Sequence, residues 1–254
     1  MTILLMDADI QAFEAGMATS DWIEFEEGEG FWDCDLEEAK RCFDDLLTEA
    51  QDITLPDQVI MTVSDPGRLY FRHDLAPSYK AGRNEKRPRP PVIAQLKHWL
   101  IEERGAKWRP KLEGDDVLGI LHTANRQDTL VWSLDKDLAT IPGRMIRAGR
   151  LDSFEHEEVF IEEPDADRWW LMQALMGDPT DGYKGCPGIG PKRASRILEP
   201  CVDLPEMWAA VVETYASKGL TADDALVQAR LARILRAADW CFDTSTVRLW
   251  RPPV

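Results

Sequence analysis

Carboxylates stand where the short apolar runs of this chain stop: ILLMDAD at 3–9, VIMTVSD at 59–65, LEGDD at 112–116, LVWSLDKD at 130–137 and GDPTD at 177–181. Like charges drawn into one cleft cannot all stay ionised unless cations or protons compensate them. Oxygen-only donors favour Mg²⁺ or Mn²⁺ over Zn²⁺. Singly, each acid has a plainer role as a turn former. Asp115 and Asp116 could also be helix N-terminal acids, worth about 0.3–1 kcal/mol against the dipole. Five clusters in succession point instead to a polyvalent cation site. Asp7 and Asp9 are two apart, as are Asp135 and Asp137, so on a continuing strand each pair faces one side.

Two further segments carry chemistry. In GDPTDGYKGCPGIGPKRAS, 177–195, Gly188, Gly190 and Pro191 make a tight turn ahead of a helix that opens with Lys192 and Arg193. Glycines let the backbone approach a phosphate, the N–H groups of the helix start point at it, and the basic side chains add charge without reading bases. In FRHDLAPSYKAGRNEKR, 71–87, Arg72, Lys80, Arg83, Lys86 and Arg87 stand among Tyr70, Phe71 and Tyr79. Basic residues interleaved with aromatics suit a channel for single-stranded nucleic acid.

Gathering these residues requires strands that end together. Apolar runs at 2–6, 58–63, 129–134 and 144–148 alternate with stretches of helical period, the rhythm of βαβ units. In an open parallel sheet the ligand crevice lies beyond the carboxyl ends of the strands. The fold class is therefore α/β, a mostly parallel central sheet flanked by helices. Helices are predicted over 36–50, 92–104 and 114–124. The acidic stretch 24–35 reads as a surface excursion, and the prolines of RNEKRPRPP, 83–91, exclude helix there. Beyond about residue 165 helices take over, at 167–176, 192–198, 204–218 and 221–241, the last with Thr221 ahead of Asp224 as a cap. This predicts an α/β domain over 1–165, with a basic segment at 72–111, and a helical lobe over 166–254.

A chain of 254 residues with 44% hydrophobic content can bury a substantial core. Its net charge of −16 is unevenly spread: residues 1–67 hold 18 acids and 2 basic residues, whereas 68–111 hold 12 basic residues and 4 acids. That division fits one cationic face presented to a polyanion. Five cysteines without CxxC spacing indicate neither a disulfide framework nor a zinc site. The absence of a long apolar run or a leader-like N-terminus predicts a cytoplasmic protein.

In order and spacing, LMDAD, VSD with FRHDLAPSYKAGR, LEGDDVLGIL, SLDKDL and GDPTDGYKGCPGIGPKRA resemble the motifs of the structure-specific 5′-nuclease family. That family includes flap endonucleases, the 5′→3′ exonuclease domain of bacterial DNA polymerase I and the replication exonucleases of short-tailed bacteriophages. The resemblance implies a PIN-like nuclease domain and a helix-three-turn-helix element in the helical lobe. Asp7, Asp65, Glu113, Asp115 and Asp116 would build a first metal site, and Asp135, Asp137, Asp178 and Asp181 a second, each for Mg²⁺ or Mn²⁺. Lys80 and Arg83 match the residues that hold the scissile phosphate. Gly188, Gly190, Lys192 and Arg193 match the duplex-binding hairpin, where the family often places K⁺, and Arg72, Lys86 and Arg87 would add DNA contacts along the basic segment.

The implied activity is two-metal 5′→3′ exonuclease cleavage with some flap endonuclease action, serving phage replication, recombination or primer removal in the host cytoplasm. The implied substrate is double-stranded DNA with 5′ ends, gaps, nicks or short flaps, or an RNA–DNA hybrid, bound by a monomer. Two departures stand out: Ala8 replaces a common glycine, and the short, proline-rich stretch between Arg83 and Val92 favours ends over long flaps. A rival reading is a haloacid-dehalogenase-type phosphatase with Asp7 as nucleophile, which leaves LEGDD, DKD and GIGPKRA without purpose. Another is a PIN-type ribonuclease, which shares the acidic cleft but lacks the hairpin lobe; a third is a non-catalytic DNA-binding module.

Overall fold

The computed structural model describes residues 1–82, 88–149 and 155–253; Arg83, Lys86 and Arg87 lie outside the described residues. The apolar runs form strands and the segments of helical period form helices. β1 (Ile3–Asp7) leads into α1 (Ala8–Ala18), β2 (Ser20–Glu26), β3 (Glu29–Cys34), α2 (Leu36–Thr54) and β4 (Gln58–Thr62). α3 (Phe71–Leu75), α4 (Pro91–Glu102) and α5 (Gly114–Ala124) precede β5 (Thr129–Ser133), β6 (Gly143–Arg147) and β7 (Glu157–Ile161).

The main sheet has the order β4-β1-β5-β6-β7, parallel except for β7, which runs antiparallel to β6. Strand order reverses beside β1, so the crevice beyond its carboxyl end is the natural ligand position. Alternation along β1 serves two cores. Leu4 and Met6 pack with Phe43, Leu96 and Trp99 of α2 and α4, while Leu5 faces Leu118, Val131 and Met145. β5, TLVWS, is buried along its whole length, as a strand covered on both faces must be.

α6 (Glu163–Met176), α7 (Pro191–Leu198), α8 (Leu204–Ala216) and α9 (Ala222–Ala232) enclose a separate apolar cluster around Trp170, Leu175, Met207, Val211 and Tyr215. β8 (Trp240–Cys241) and β9 (Thr246–Val247) form a small terminal ladder. Among the described residues no helix is long and apolar enough to cross a membrane.

Two elements go beyond the sequence reading, and two local expectations need correction. The stretch 24–35 is exposed but ordered as part of the β2–β3 hairpin, whose Trp22 and Trp32 meet edge to face at 5.4 Å. β7 was not anticipated. β1 stops at Asp7, whose carboxylate caps α1, so Asp9 lies in the first helical turn and not on a continuing strand. α9 ends at Ala232 instead of continuing to 241, because Arg233 turns extended and its side chain pairs with Asp239 at 2.8 Å.

Candidate metal centre and nucleic-acid interface

Asp7, 3% exposed, sits at the reversal point of the sheet. It accepts the Ile10 N–H at 3.4 Å and the Ser133 hydroxyl at 3.1 Å. Burial, reinforced by the charges of Asp9 and Asp135, pushes its pKa up to about 7. Asp135 caps the short 3₁₀ turn Lys136–Thr140 and is itself raised by burial. Burial and then Asp135 push Asp137 up to about 6.

At the start of α5, Glu113, Asp115 and Asp116 each offer an oxygen, all within 4.8 Å of one another. Burial, then Asp116 and Glu113, raise Asp115 well above the usual carboxylate range. An oxygen-only, charge-crowded set of this kind fits a hard divalent cation. Asp7, Asp9, Glu113, Asp115 and Asp135 share a cleft of about 1010 Å³ with Tyr79, Lys80 and Lys97.

Lys80 bridges two of the acidic segments. Its ammonium contacts Glu113 and lies 3.6 Å from Asp181. The Tyr79 hydroxyl lies 2.9 Å from Glu113 Oε2 and 3.1 Å from Asp181 Oδ2. Lys80 adopts φ 56°, a left-handed conformation that costs a non-glycine residue on the order of 1 kcal/mol or more. The loop behind it holds that shape: Lys80 N–H donates to Asp181 O at 2.8 Å, and a Cβ on Gly182 would lie 2.9 Å from Ser78 O. Asp178 organises the same loop by accepting the N–H groups of Thr180 and Asp181 at 2.7 and 3.2 Å.

Other residues named from the sequence are placed differently. Arg72 is 2% exposed and enclosed by Glu113, Asp116 and the end of α9, so it cannot meet a DNA phosphate. Phe71 and Tyr79 are buried too, which removes them as base-stacking surfaces; Tyr70 remains on the cleft wall. Asp65 acts as a turn former: its two oxygens take the N–H groups of Gly67 at 2.8 Å and Lys111 at 2.7 Å, and it is not part of the cleft lining. The cleft position beside Ser64 belongs to Asp9, which accepts the Ser64 N–H at 3.0 Å and pairs with Lys97 at 2.7 Å. Lys97 escaped sequence reading because no motif surrounds it; packing of α4 on α1 brings it there.

The GIGPKR turn is exposed at the head of α7. Gly188 has φ 75°, Gly190 is the N-cap, Pro191 opens the helix, and Lys192 and Arg193 point into solvent. Ile189 packs on the helical-lobe core, and Arg193 fixes the turn by donating to Gly188 O at 2.9 Å. Exposed glycines, a helix start and two basic residues thus lie together, features that favour an anion.

No family model matches the chain. A 5′-3′ exonuclease of Mycobacterium tuberculosis is 30% identical over 236 residues, covering 76% of this chain and 73% of that protein. The chain belongs to the structure-specific 5′-nuclease family. Similarity to the exonuclease of Escherichia phage T7 extends over 98% of this family member and 93% of the phage protein, at 26% identity. The fold is that of the T5 5′-exonuclease solved with divalent zinc ions, with a TM-score of 0.62 at 16% identity over 91% of this chain and 89% of that one.

The raised acids give this 5′-nuclease an unusual stability profile. Between the ordinary aspartate value of 3.8 and the folded value of about 7, Asp7 binds more protons folded than unfolded. Stability conferred by protonation is therefore lost as pH rises through that window. In chelator the melting temperature is expected to be lower at pH 8 than at pH 5, and Mg²⁺ to narrow the gap. A chelated protein that melts higher at pH 8 contradicts the assignment of Asp7 to a charge-crowded cleft.

Proposed function

We propose that this chain is a divalent-metal-dependent 5′→3′ exodeoxyribonuclease that also trims short 5′ flaps. The observation that carries the proposal is convergence: acids from the ends of β1 and β5 and the start of α5 meet in one cleft, with Lys80 spanning Glu113 and Asp181. Two ions, Mg²⁺ or Mn²⁺, would activate water and neutralise charge on the phosphate. Asp7, Glu113 and Asp115 would hold one, and Asp135, Asp137, Asp178 and Asp181 the other. No residue need act as nucleophile. Lys80 orients the scissile phosphate and balances charge that grows on it.

The part over 1–165 would supply most of the metal ligands and Lys80, and the part over 166–254 would add Asp178 and Asp181 and grip duplex through Gly188, Gly190, Lys192 and Arg193, a turn where K⁺ would also fit. Substrates are DNA duplexes with 5′ ends, nicks, gaps or short flaps, with RNA–DNA hybrids in the same class. The T7 exonuclease relative supports a role in phage replication, recombination or primer removal in the host cell.

Duplex DNA labelled at either terminus tests this directly. Immediate release of 5′ label as mononucleotides or short oligomers, with Mg²⁺ and not with chelator, is the expected result. Release from the 3′ end first refutes the polarity. Trapping of a phosphorylated Asp7 instead supports the phosphatase chemistry, whose nucleophile would have to act from a side chain already committed to capping α1.

A further inference from the structure

We propose that Arg72 is a positioning residue that, braced by the buried Asp116, holds Glu113 in place for a divalent ion and fastens that site to the end of α9. The assignment rests on the metal-dependent function proposed above. All five N–H donors of the guanidinium are engaged. Nη1 donates to Glu113 Oε2 at 2.8 Å and Asp116 Oδ2 at 2.6 Å, and Nη2 to Asp116 Oδ1 at 2.8 Å and Arg233 O at 2.7 Å. Nε donates to Leu231 O at 3.0 Å.

Asp116 is equally occupied. Besides Arg72, Oδ1 accepts the Leu235 N–H at 3.1 Å and Oδ2 the Glu113 N–H at 3.3 Å, which fills the four acceptor positions of a carboxylate. The acids of LEGDD therefore divide: Glu113 and Asp115 line the cleft, whereas Asp116 is fully buried behind them and faces Arg72. Asp116 acts on the metal through Arg72 and the Glu113 backbone and is not itself a ligand.

The two carbonyls come from the place where α9 stops. A helix end leaves its last C=O groups without intrahelical partners, and Arg72 accommodates those of Leu231 and Arg233. Since α9 packs on α6 and α8, Arg72 ties the acidic cluster to the seat of the helical lobe, alongside the Leu235 N–H on Asp116. Only a planar, forked cation can join two carboxylates and two carbonyls at once; a lysine would supply charge without the geometry.

Arg72→Lys and Asp116→Asn test the assignment, with Mn²⁺ binding followed by calorimetry without DNA and duplex affinity measured in chelator. Wild type should bind Mn²⁺; if it does not, the metal-dependent function fails and this assignment with it. Arg72→Lys should weaken Mn²⁺ binding by about 10- to 100-fold, the loss typical of an outer-shell partner, and raise by a similar factor the Mg²⁺ needed for half-maximal cleavage. Duplex affinity should not change. Unaltered Mn²⁺ binding in folded Arg72→Lys, or weaker duplex binding alone, overturns the proposal. Should Arg72→Lys not fold, Asp116→Asn decides: a loss of Mn²⁺ affinity as large as that of Asp115→Asn makes Asp116 a direct ligand and sinks the idea.

Discussion

Asp115→Asn should leave the chain folded and bound to duplex while lowering cleavage by more than about a thousandfold, beyond the 10- to 100-fold typical of outer-shell partners. The expectation follows from where Asp115 lies. It lines the cleft at the start of α5, with Glu113 and Asp116 beside it, and burial together with those neighbours opposes its charge. Replacing the carboxylate by an amide removes one like charge from a crowded set, so the metal-free variant should melt higher than wild type in chelator, even as turnover collapses. Single-turnover rates, duplex affinity in chelator and paired melting curves measure the three quantities. Near-wild-type turnover would falsify the role of Asp115; lost turnover with a lower melting temperature would mean that the side chain serves the fold.

Lys80→Ala is expected to reduce kcat by about 10²- to 10³-fold, the usual cost of removing one donor aimed at developing charge. Lys80 contacts Glu113, approaches Asp181, and is held by a left-handed backbone braced against Gly182. A side chain carried on a strained backbone at a cleft wall is positioned more tightly than a surface cation needs to be. The loss should fall chiefly on kcat, with a small change in KM, because the proposed duplex grip lies elsewhere, in the turn at 188–193. A drop in affinity alone would reassign Lys80 to binding.

Much of this architecture was legible because parallel strands end on one edge, so acids placed after apolar runs announce a common cleft. Asp7, Glu113, Asp115 and Asp135 reach it as expected. Reading failed where tertiary burial overrides residue type. An arginine among other basic residues suggests a DNA contact, yet Arg72 is buried, and a cation is tolerated there because carboxylates and carbonyls surround it. The helix expected to reach 241 has Leu226, Arg230, Ile234 and Ala237 at helical spacing, but the chain leaves the helix at Arg233 to place Leu235 N–H on Asp116 and Arg233 O on Arg72. Asp65 ends an apolar run like its counterparts, and only the direction of the turn after β4 shows that its oxygens serve Gly67 and Lys111. The β2–β3 hairpin went unread because period-2 alternation in SDWIEFE is masked by acids on both faces.

That hairpin exposes Glu24, Glu26, Glu27 and Glu29 at its tip, while Lys192 and Arg193 stand exposed on α7. The field of an approaching polyanion repels that tip and attracts the α7 turn before contact, a torque that favours encounters at the turn. Electrolyte shortens the range of that torque to about 8 Å at physiological ionic strength. Added salt should thus slow productive encounters long before it disturbs bond breaking.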